Sequence, residues 1–394
     1  MGVVYQFPFP RQSGLNLEPE YLHLQEHEPV ARIEMPFGER AWLLTRYDDV
    51  KLALTDPRFS RAETLRRDTP RVTPTYFSGG IVAMDPPQHT RLRAVAGNAF
   101  GARNMERLRR TAECVAAELL DSLFDSDDCD FVEGFALPFT LRMVCELLGV
   151  PFEDHIRFRQ WAESGLATGA VTEDERWEAT GQMWDYIAGL ISERRRDPRD
   201  DLISRMSIAA DRDDEISDND IVMLTMAVLV AGYETTATQL PNFLYLLLHD
   251  RRHFEQLVNE PGLVTTAVEE LMRYVPLQSN GSSPRYLRDD LTIGPVRLRA
   301  GDAVVPAGVI ANRDPEYFSN GHSLDLRRRP NPHLGFGNGP HFCLGAPLAR
   351  VEMSAALNVL AAKAADLRLN SAGQIQWKHD MMVRGPAHLP VMRP

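Results

Sequence analysis

Apolar positions recur with a helical period over most of this chain. Across residues 105–124, Leu108, Ala112, Val115, Leu119 and Leu123 fall on one stripe, which predicts an amphipathic helix. The same spacing predicts helices over 138–148, 176–196 and 263–274, and a short one over 48–55 that ends before Asp56-Pro57. The longest helical pattern opens at Ser217, whose side chain can cap it, with Asp220 three residues on completing a capping box. It continues to about residue 249, about 48 Å at 1.5 Å per residue, enough to cross a whole domain. Pro241 inside it removes one backbone hydrogen bond and is expected to bend it. Alternating or β-branched pieces predict strands at 31–35 and 41–45, at 291–298 and 303–310, and in the tail 374–391. A glycine- and proline-rich loop spans 329–341, and a helix is predicted from 344 to about 365. No repeat or linker interrupts the series. The expectation is a mainly α protein with small β-sheets near both ends, folded as a single domain over residues 1–394.

Composition narrows the classes. Of 394 residues, 43 are Lys or Arg and 55 are Asp or Glu, a net charge of −12. Such an acidic balance argues against binding nucleic acid through counterion release or docking on an anionic membrane. With 44% hydrophobic and 25% charged residues, the chain can bury a large core. The start, MGVVYQFPFP, lacks the basic and apolar parts of a signal peptide, and Gln6 stands where a myristoylation motif needs Ser or Thr. The longest apolar run, 221–232, is shorter than the about 20 residues a bilayer requires. A cytoplasmic protein is expected. The cysteines at 114, 129, 145 and 343 form no Cys-x-x-Cys pair, so neither a zinc knuckle nor a disulfide scaffold is indicated. Cys114 and Cys145 lie in amphipathic or apolar stretches and are expected to be small buried hydrophobes.

Cys343 stands apart. Residues 336–345 read Phe-Gly-Asn-Gly-Pro-His-Phe-Cys-Leu-Gly. Gly337, Gly339 and Gly345 would let the backbone approach a flat object closely or take positive φ. A thiol just before a helix feels the partial positive charge of its N-terminus, which favours thiolate. A cysteine packed in a turn is the plainer alternative. The whole pattern, however, resembles the cysteine-ligand loop of the cytochrome P450 family, Phe-x-x-Gly-x-x-x-Cys-x-Gly, through Phe336, Gly339, Cys343 and Gly345. The resemblance implies that Cys343 is the axial ligand of haem b, with Phe336 beside the sulfur and His341 reaching a propionate. It also implies that the haem lies between the long central helix and the cysteine-loop helix.

Other segments agree in order. Ala231-Gly232-Tyr233-Glu234-Thr235-Thr236 sits midway along the longest helix, where small residues admit a ligand and a carboxyl beside a hydroxyl can relay protons. Threonines bonding back to the helix are the alternative. The segment resembles the family's acid–threonine pair, which implies that Thr235 hydrogen-bonds dioxygen and Glu234 helps deliver protons; Tyr233 replaces a common His. Glu270 and Arg273, three apart, can pair on one helix face, and they resemble the family's structural Glu-x-x-Arg. His89 and Arg93 share a face, and with Arg285 they resemble the residues that hold the haem propionates. The stretches 311–318 and 348–352 also look like the family. The match therefore runs from about Trp42 to the end and is similar to soluble actinobacterial members.

The implied chemistry is reductive activation of dioxygen, in which the cofactor does the hard step and the protein positions the substrate. No cysteine cluster or fused flavin unit is visible, so electrons are expected from a separate ferredoxin and ferredoxin reductase. Arg103, Arg107 and Arg110, with Arg109, form a basic cluster that could steer an acidic ferredoxin. A solvated helix face is the alternative. Residues 61–84 and 163–183 match the family's variable regions over the haem. Val82, Ala231, Ser279, Asn280, Ser282 and Met382 are expected to line the substrate pocket. That polar wall favours a secondary metabolite bearing amides or hydroxyls. Rival readings are a cyclodipeptide-coupling enzyme that inserts no oxygen, and a non-catalytic haem sensor.

Overall fold

The structure is a computed structural model and describes residues 3–74, 79–97, 100–125, 129–169, 171–278, 283–370 and 373–393. The strands among these residues are β1 (Val4–Gln6), β2 (Val30–Glu34), β3 (Ala41–Leu44), β4 (Phe59–Ser60), β5 (Arg285–Leu287), β6 (Leu291–Ile293), β7 (Val296–Leu298), β8 (Ala303–Pro306), β9 (Arg368–Leu369), β10 (Gln376–Trp377), β11 (Pro386–His388) and β12 (Val391–Met392). The α-helices are α1 (Pro19–His27), α2 (Tyr47–Thr55), α3 (Gln88–Gly97), α4 (Ala102–Leu123), α5 (Leu137–Leu148), α6 (His155–Leu166), α7 (Glu173–Arg196), α8 (Leu202–Ala210), α9 (Asp218–His249), α10 (Arg251–Asn259), α11 (Val264–Tyr274), α12 (Gly308–Ala311) and α13 (Ala346–Lys363). The chain divides into two compact units. One comprises Met1–Arg91, Met272–Asp325 and Arg329–Cys343, the other Leu92–Leu271, Leu326–Arg328 and Leu344–Pro394.

The first unit is built on a six-stranded sheet of order β1-β2-β3-β8-β5-β4. β3 runs parallel to β8, with Ala41 opposite Ala303, and β8 runs antiparallel to β5. Successive side chains on a strand face opposite ways. Leu43 and Val305 therefore join a core with Phe7, Phe9 and Tyr21, while Leu44 and Val304 join another with Tyr47, Val50 and Phe59. In the first core Phe9 meets Phe7 and Tyr21 edge to face at 5.1 and 5.0 Å. The strand expected over 303–310 stops at Pro306, and its second half turns into α12. The piece over 291–298 is a hairpin, with Gly294 at positive φ between β6 and β7.

The second unit is organised around α9. Ser217 caps it and Asp220 closes the capping box, as its sequence requires. α5, α6, α7 and α13 pack on α9, and α4 packs on α13 and α5. On α4 the buried stripe is Met105, Leu108, Ala112, Ala116, Leu119, Leu120 and Leu123. Val115 is only half-buried. Cys114, expected to be buried, is exposed, because it stands off that stripe. Cys145 is buried on α5, and burial with nearby Asp154 pushes its thiol up to about 12. α9 as a whole is longer than the apolar run read from sequence. Its mean hydropathy of 1.4 over 18 residues meets the composition of a membrane-crossing helix, but 56% of that window is buried within the protein, as in a core helix.

Candidate functional site

In the first unit, the loop before α13 presents Cys343 exposed to solvent. The Cys343 amide donates to the Phe336 carbonyl at 2.8 Å, and Phe342 donates to Gly339 at 3.0 Å, so the loop folds back on itself. Phe336 is buried and packs 6.3 Å from Phe342. Gly337 and Gly339 take φ of 73° and 69°, and a Cβ on Gly339 would stand 2.4 Å from the Leu54 carbonyl oxygen. Gly345 has ordinary negative φ and serves instead as the N-cap residue of α13.

Beside this loop lies a crowd of cationic and donor side chains. The His341 and His89 rings are 4.2 Å apart. Burial, then His89, Arg285 and Arg61, push the His341 imidazole down to about 3. His89 and Arg285 are themselves buried. Asp85 is the carboxylate that acts on His341 in the opposite sense. Its own charge is already claimed. Burial opposes it, but bonds from Ser60, Arg61 N, Ala62 N and the Arg288 cation hold its carboxyl below the usual range. Two imidazoles and two guanidiniums crowded in this way suit the paired carboxylates of a haem. The residues present thus fit the group that the cysteine loop implies. Arg93 lies one turn beyond His89 on α3, in the second unit. Arg61, which donates to the Val82 and Pro284 carbonyls, was not anticipated from sequence.

In the second unit, α9 carries the acid and the threonine. Thr235 Oγ1 donates to the Ala231 carbonyl at 2.5 Å, and Ala231 is exposed. Glu234 is 1% exposed and bonded elsewhere: Lys378 Nζ lies 2.5 Å and Thr238 Oγ1 3.2 Å from its Oε1. Tyr233 is buried, and burial with the neighbouring Glu234 raises its phenol. Glu352 of α13 bonds to Thr236, with its other oxygen buried and unpartnered, and burial raises its carboxyl well above the ordinary value. Sequence spacing gives no hint of Lys378, which lies 144 residues from Glu234.

Among the expected pocket residues, Val82 and Met382 are 47% and 45% exposed. Ser279, Asn280 and Ser282 lie outside the described residues. Glu270 and Arg273 are both fully buried. Glu270 accepts Arg328 Nε with both oxygens at 3.1 Å, and Arg273 donates to the carbonyls of Asn312, Gly321 and Ser323. The arginine cluster on α4 is less bare than its sequence implies. Arg107 pairs with Glu146, Arg109 with Glu106 and Glu113, and Arg110 with Glu106. Arg103, Arg107, Arg110 and Arg205 line a groove of about 670 Å³ with Asn104 and Asp200.

The family model described as Cytochrome P450 matches residues 171–360. Mycinamicin IV hydroxylase/epoxidase of Micromonospora griseorubida is 45% identical over 388 residues, covering 98% of both chains. Nocardicin C N-oxygenase of Nocardia uniformis subsp. tsuyamanensis is 41% identical over 389 residues, again covering 98% of both. A solved structure described as cytochrome P450mel 107F1 with biaryl coupling reactivity superposes with a TM-score of 0.94 at 35% identity, over 99% of this chain and all of that one.

Proposed function

The chain belongs to the cytochrome P450 family, and on that premise we propose that it is a haem-thiolate monooxygenase oxidising a polar secondary metabolite in natural-product biosynthesis. The observation that carries this reading is the exposed Cys343, tied to Phe336 in a loop whose Gly339 has no room for a side chain, beside a buried cationic cluster. The cofactor is haem b, and the whole chain works as one catalytic domain in the cytoplasm.

Bound haem supplies the dioxygen-activating iron, with thiolate donation favouring O–O cleavage. Cys343 is its ligand through sulfur. His89, Arg93, Arg285 and His341 hold the propionates through charge-assisted hydrogen bonds. Phe336 shields the sulfur, and Gly345 caps the helix that follows. Glu234 and Thr235 hold and pass protons toward the pocket. Thr235 has its own hydrogen committed to Ala231, so its oxygen is free to accept one. Ala231 leaves space beside the helix, while Val82, Ser279, Asn280, Ser282 and Met382 contact the substrate. Glu270 and Arg273 maintain the fold around this machinery.

Electrons come from a separate ferredoxin and its reductase, with docking at Arg103, Arg107 and Arg110. A second reading, oxidative coupling without oxygen insertion, is favoured by the likeness to a structure described with biaryl coupling reactivity; cyclodipeptides are one substrate class for it. Reduced protein with and without carbon monoxide tests the thiolate: a strongly red-shifted Soret band is expected, and a band typical of histidine ligation overturns the assignment. Product mass then separates the readings, because hydroxylation adds oxygen whereas coupling removes hydrogen. A sensor would consume no reduced nicotinamide in steady state when given substrate.

A further inference from the structure

The β10–β11 hairpin is stitched to α9 at three points. The Asn242 side-chain amide donates to the Arg384 carbonyl at 2.8 Å. Gly385 lies so close that a Cβ there would stand 2.4 Å from Thr238 Cγ2. Lys378, whose amide donates to the Gly385 carbonyl, reaches Glu234 at 2.5 Å and Thr238 Oγ1 at 2.9 Å. On its other side the hairpin turn meets the loop after α6, where Met381 bridges Ala167 and the Thr168 amide donates to the Asp380 carbonyl at 2.7 Å.

The direction of the pair is informative. Thr238 lies four residues beyond Glu234 and shares its face of α9, whereas Thr235 is about 100° further round the helix. The carboxylate is therefore drawn toward the hairpin and away from the hydroxyl it is meant to serve. Glu234 is 1% exposed and Lys378 only 13%, so water screens the pair little. A buried carboxylate that takes a proton in this pairing leaves a buried ammonium uncompensated, which is costly. Other charged groups act around this stretch, among them Glu352 of α13, which bonds to Thr236 two residues along the helix. Arg159 and Glu163 of α6 and Glu133 act on Tyr233, Lys378 acts on Glu133, and His388 pairs with Asp130.

We propose that Lys378 is a positioning residue that latches the catalytic acid: it holds Glu234 charged and turned to the hairpin, and proton delivery proceeds when this pair opens. The proposal rests on Glu234 being the proton-delivering acid. The hairpin turn, tied to the loop after α6, is the element through which a substrate can open the latch.

Lys378→Met tests this in the haem-loaded protein. Difference infrared spectra at neutral pH are expected to gain the carbonyl stretch of a protonated carboxyl, and the double variant with Glu234→Gln is expected to lose it. With a plant-type ferredoxin, its reductase and NADPH, but no organic substrate, Lys378→Met is expected to consume NADPH several-fold faster than the parent. Lys378→Arg, which keeps the charge, restores the parent's spectrum and rate. Should Lys378→Met fail to load haem, Lys378→Gln reads the same band. Absence of the new carboxyl band, or a rate unchanged in the uncharged variants, overturns the latch. If adding Glu234→Gln leaves the faster consumption of Lys378→Met unchanged, the fault lies instead in the role given to Glu234, and the infrared result still reports whether Lys378 sets its charge.

Discussion

The His341 imidazole lies 4.2 Å from that of His89, and burial first, then His89, Arg285 and Arg61, raise the energy of its charged form. Such a crowd is stable as long as His341 stays neutral. An unfolded histidine titrates near 6.5, while the folded one is pushed down to about 3. Between those values the unfolded chain binds the extra proton, so stability falls as pH falls through that window and is unaffected by this group above it. The haem-free protein is expected to lose on the order of 1–2 kcal/mol from this residue between pH 7 and pH 5. Urea unfolding at the two pH values checks it. His341→Phe is expected to flatten the acid limb, and an equally steep limb in the variant contradicts the account.

The same cluster predicts cofactor retention. Arg285→Ala removes a buried cation from the place where carboxylates are expected, and charge-assisted bonds are the strong ones. Haem transfer to apomyoglobin is expected to quicken by about tenfold, corresponding to about 1.4 kcal/mol. Transfer at the parent's rate would remove Arg285 from the propionate site.

Glu270 and Arg328 form a pair with 0% and 8% of their side chains exposed. Removing one partner of such a pair leaves a stranded interior charge, typically at a cost of about 3–5 kcal/mol. Glu270→Ala is expected to lose stability in that range, whereas Asp366→Ala, which breaks the exposed pair with Arg393, is expected to lose about 0–1 kcal/mol. Denaturant midpoints of the two variants make the comparison, and similar losses would contradict it.

Thr235→Ala deletes a hydroxyl and leaves the helix intact, since the bond it makes to Ala231 is a local one. NADPH consumption is expected to persist with a larger share of electrons released as hydrogen peroxide. Peroxide yield per NADPH, read beside the parent, decides it.

The ferredoxin docking proposed for the arginine groove can be tested. Arg107 and Arg110 already pair with Glu146 and Glu106, so each contributes less net field than an isolated cation. Replacing both with Glu leaves like charges facing one another and is expected to slow reduction by an acidic ferredoxin, more at low salt than at high salt. Stopped-flow reduction rates that do not respond to the exchange would move the docking face elsewhere.

The legible part of this site is the part that is contiguous in sequence. Phe336 to Gly345 are ten successive positions, and their spacing alone carries the cysteine loop. Ser217 and Asp220 announce α9 because a cap is a local device. The pairs that tie these elements together are not local. Arg328 is 58 residues from Glu270, and Lys378 is 144 from Glu234. No periodicity links such residues; only the packed fold brings them together. Local pattern also failed where polar residues interrupt the apolar stripe, as in α6 and α10, and where a short strand borrows its partner, as with β1 on β2.

The pairing of β3 with β8 sets an order of events during synthesis. Ala41 and Ala303 are about 260 residues apart, and closing such a span gives no reward until the later strand arrives. At typical bacterial elongation speeds the ribosome needs roughly 10–50 s to cover it. For that interval one edge of β3 is an open template for any passing strand. The six-stranded sheet, and the cysteine loop that belongs to the same unit, can be completed only near the end of translation. Slow-growing or overloaded expression hosts are thus expected to yield this protein as aggregate in proportion to how long nascent chains linger between those two strands, and chaperone-rich synthesis is expected to recover it.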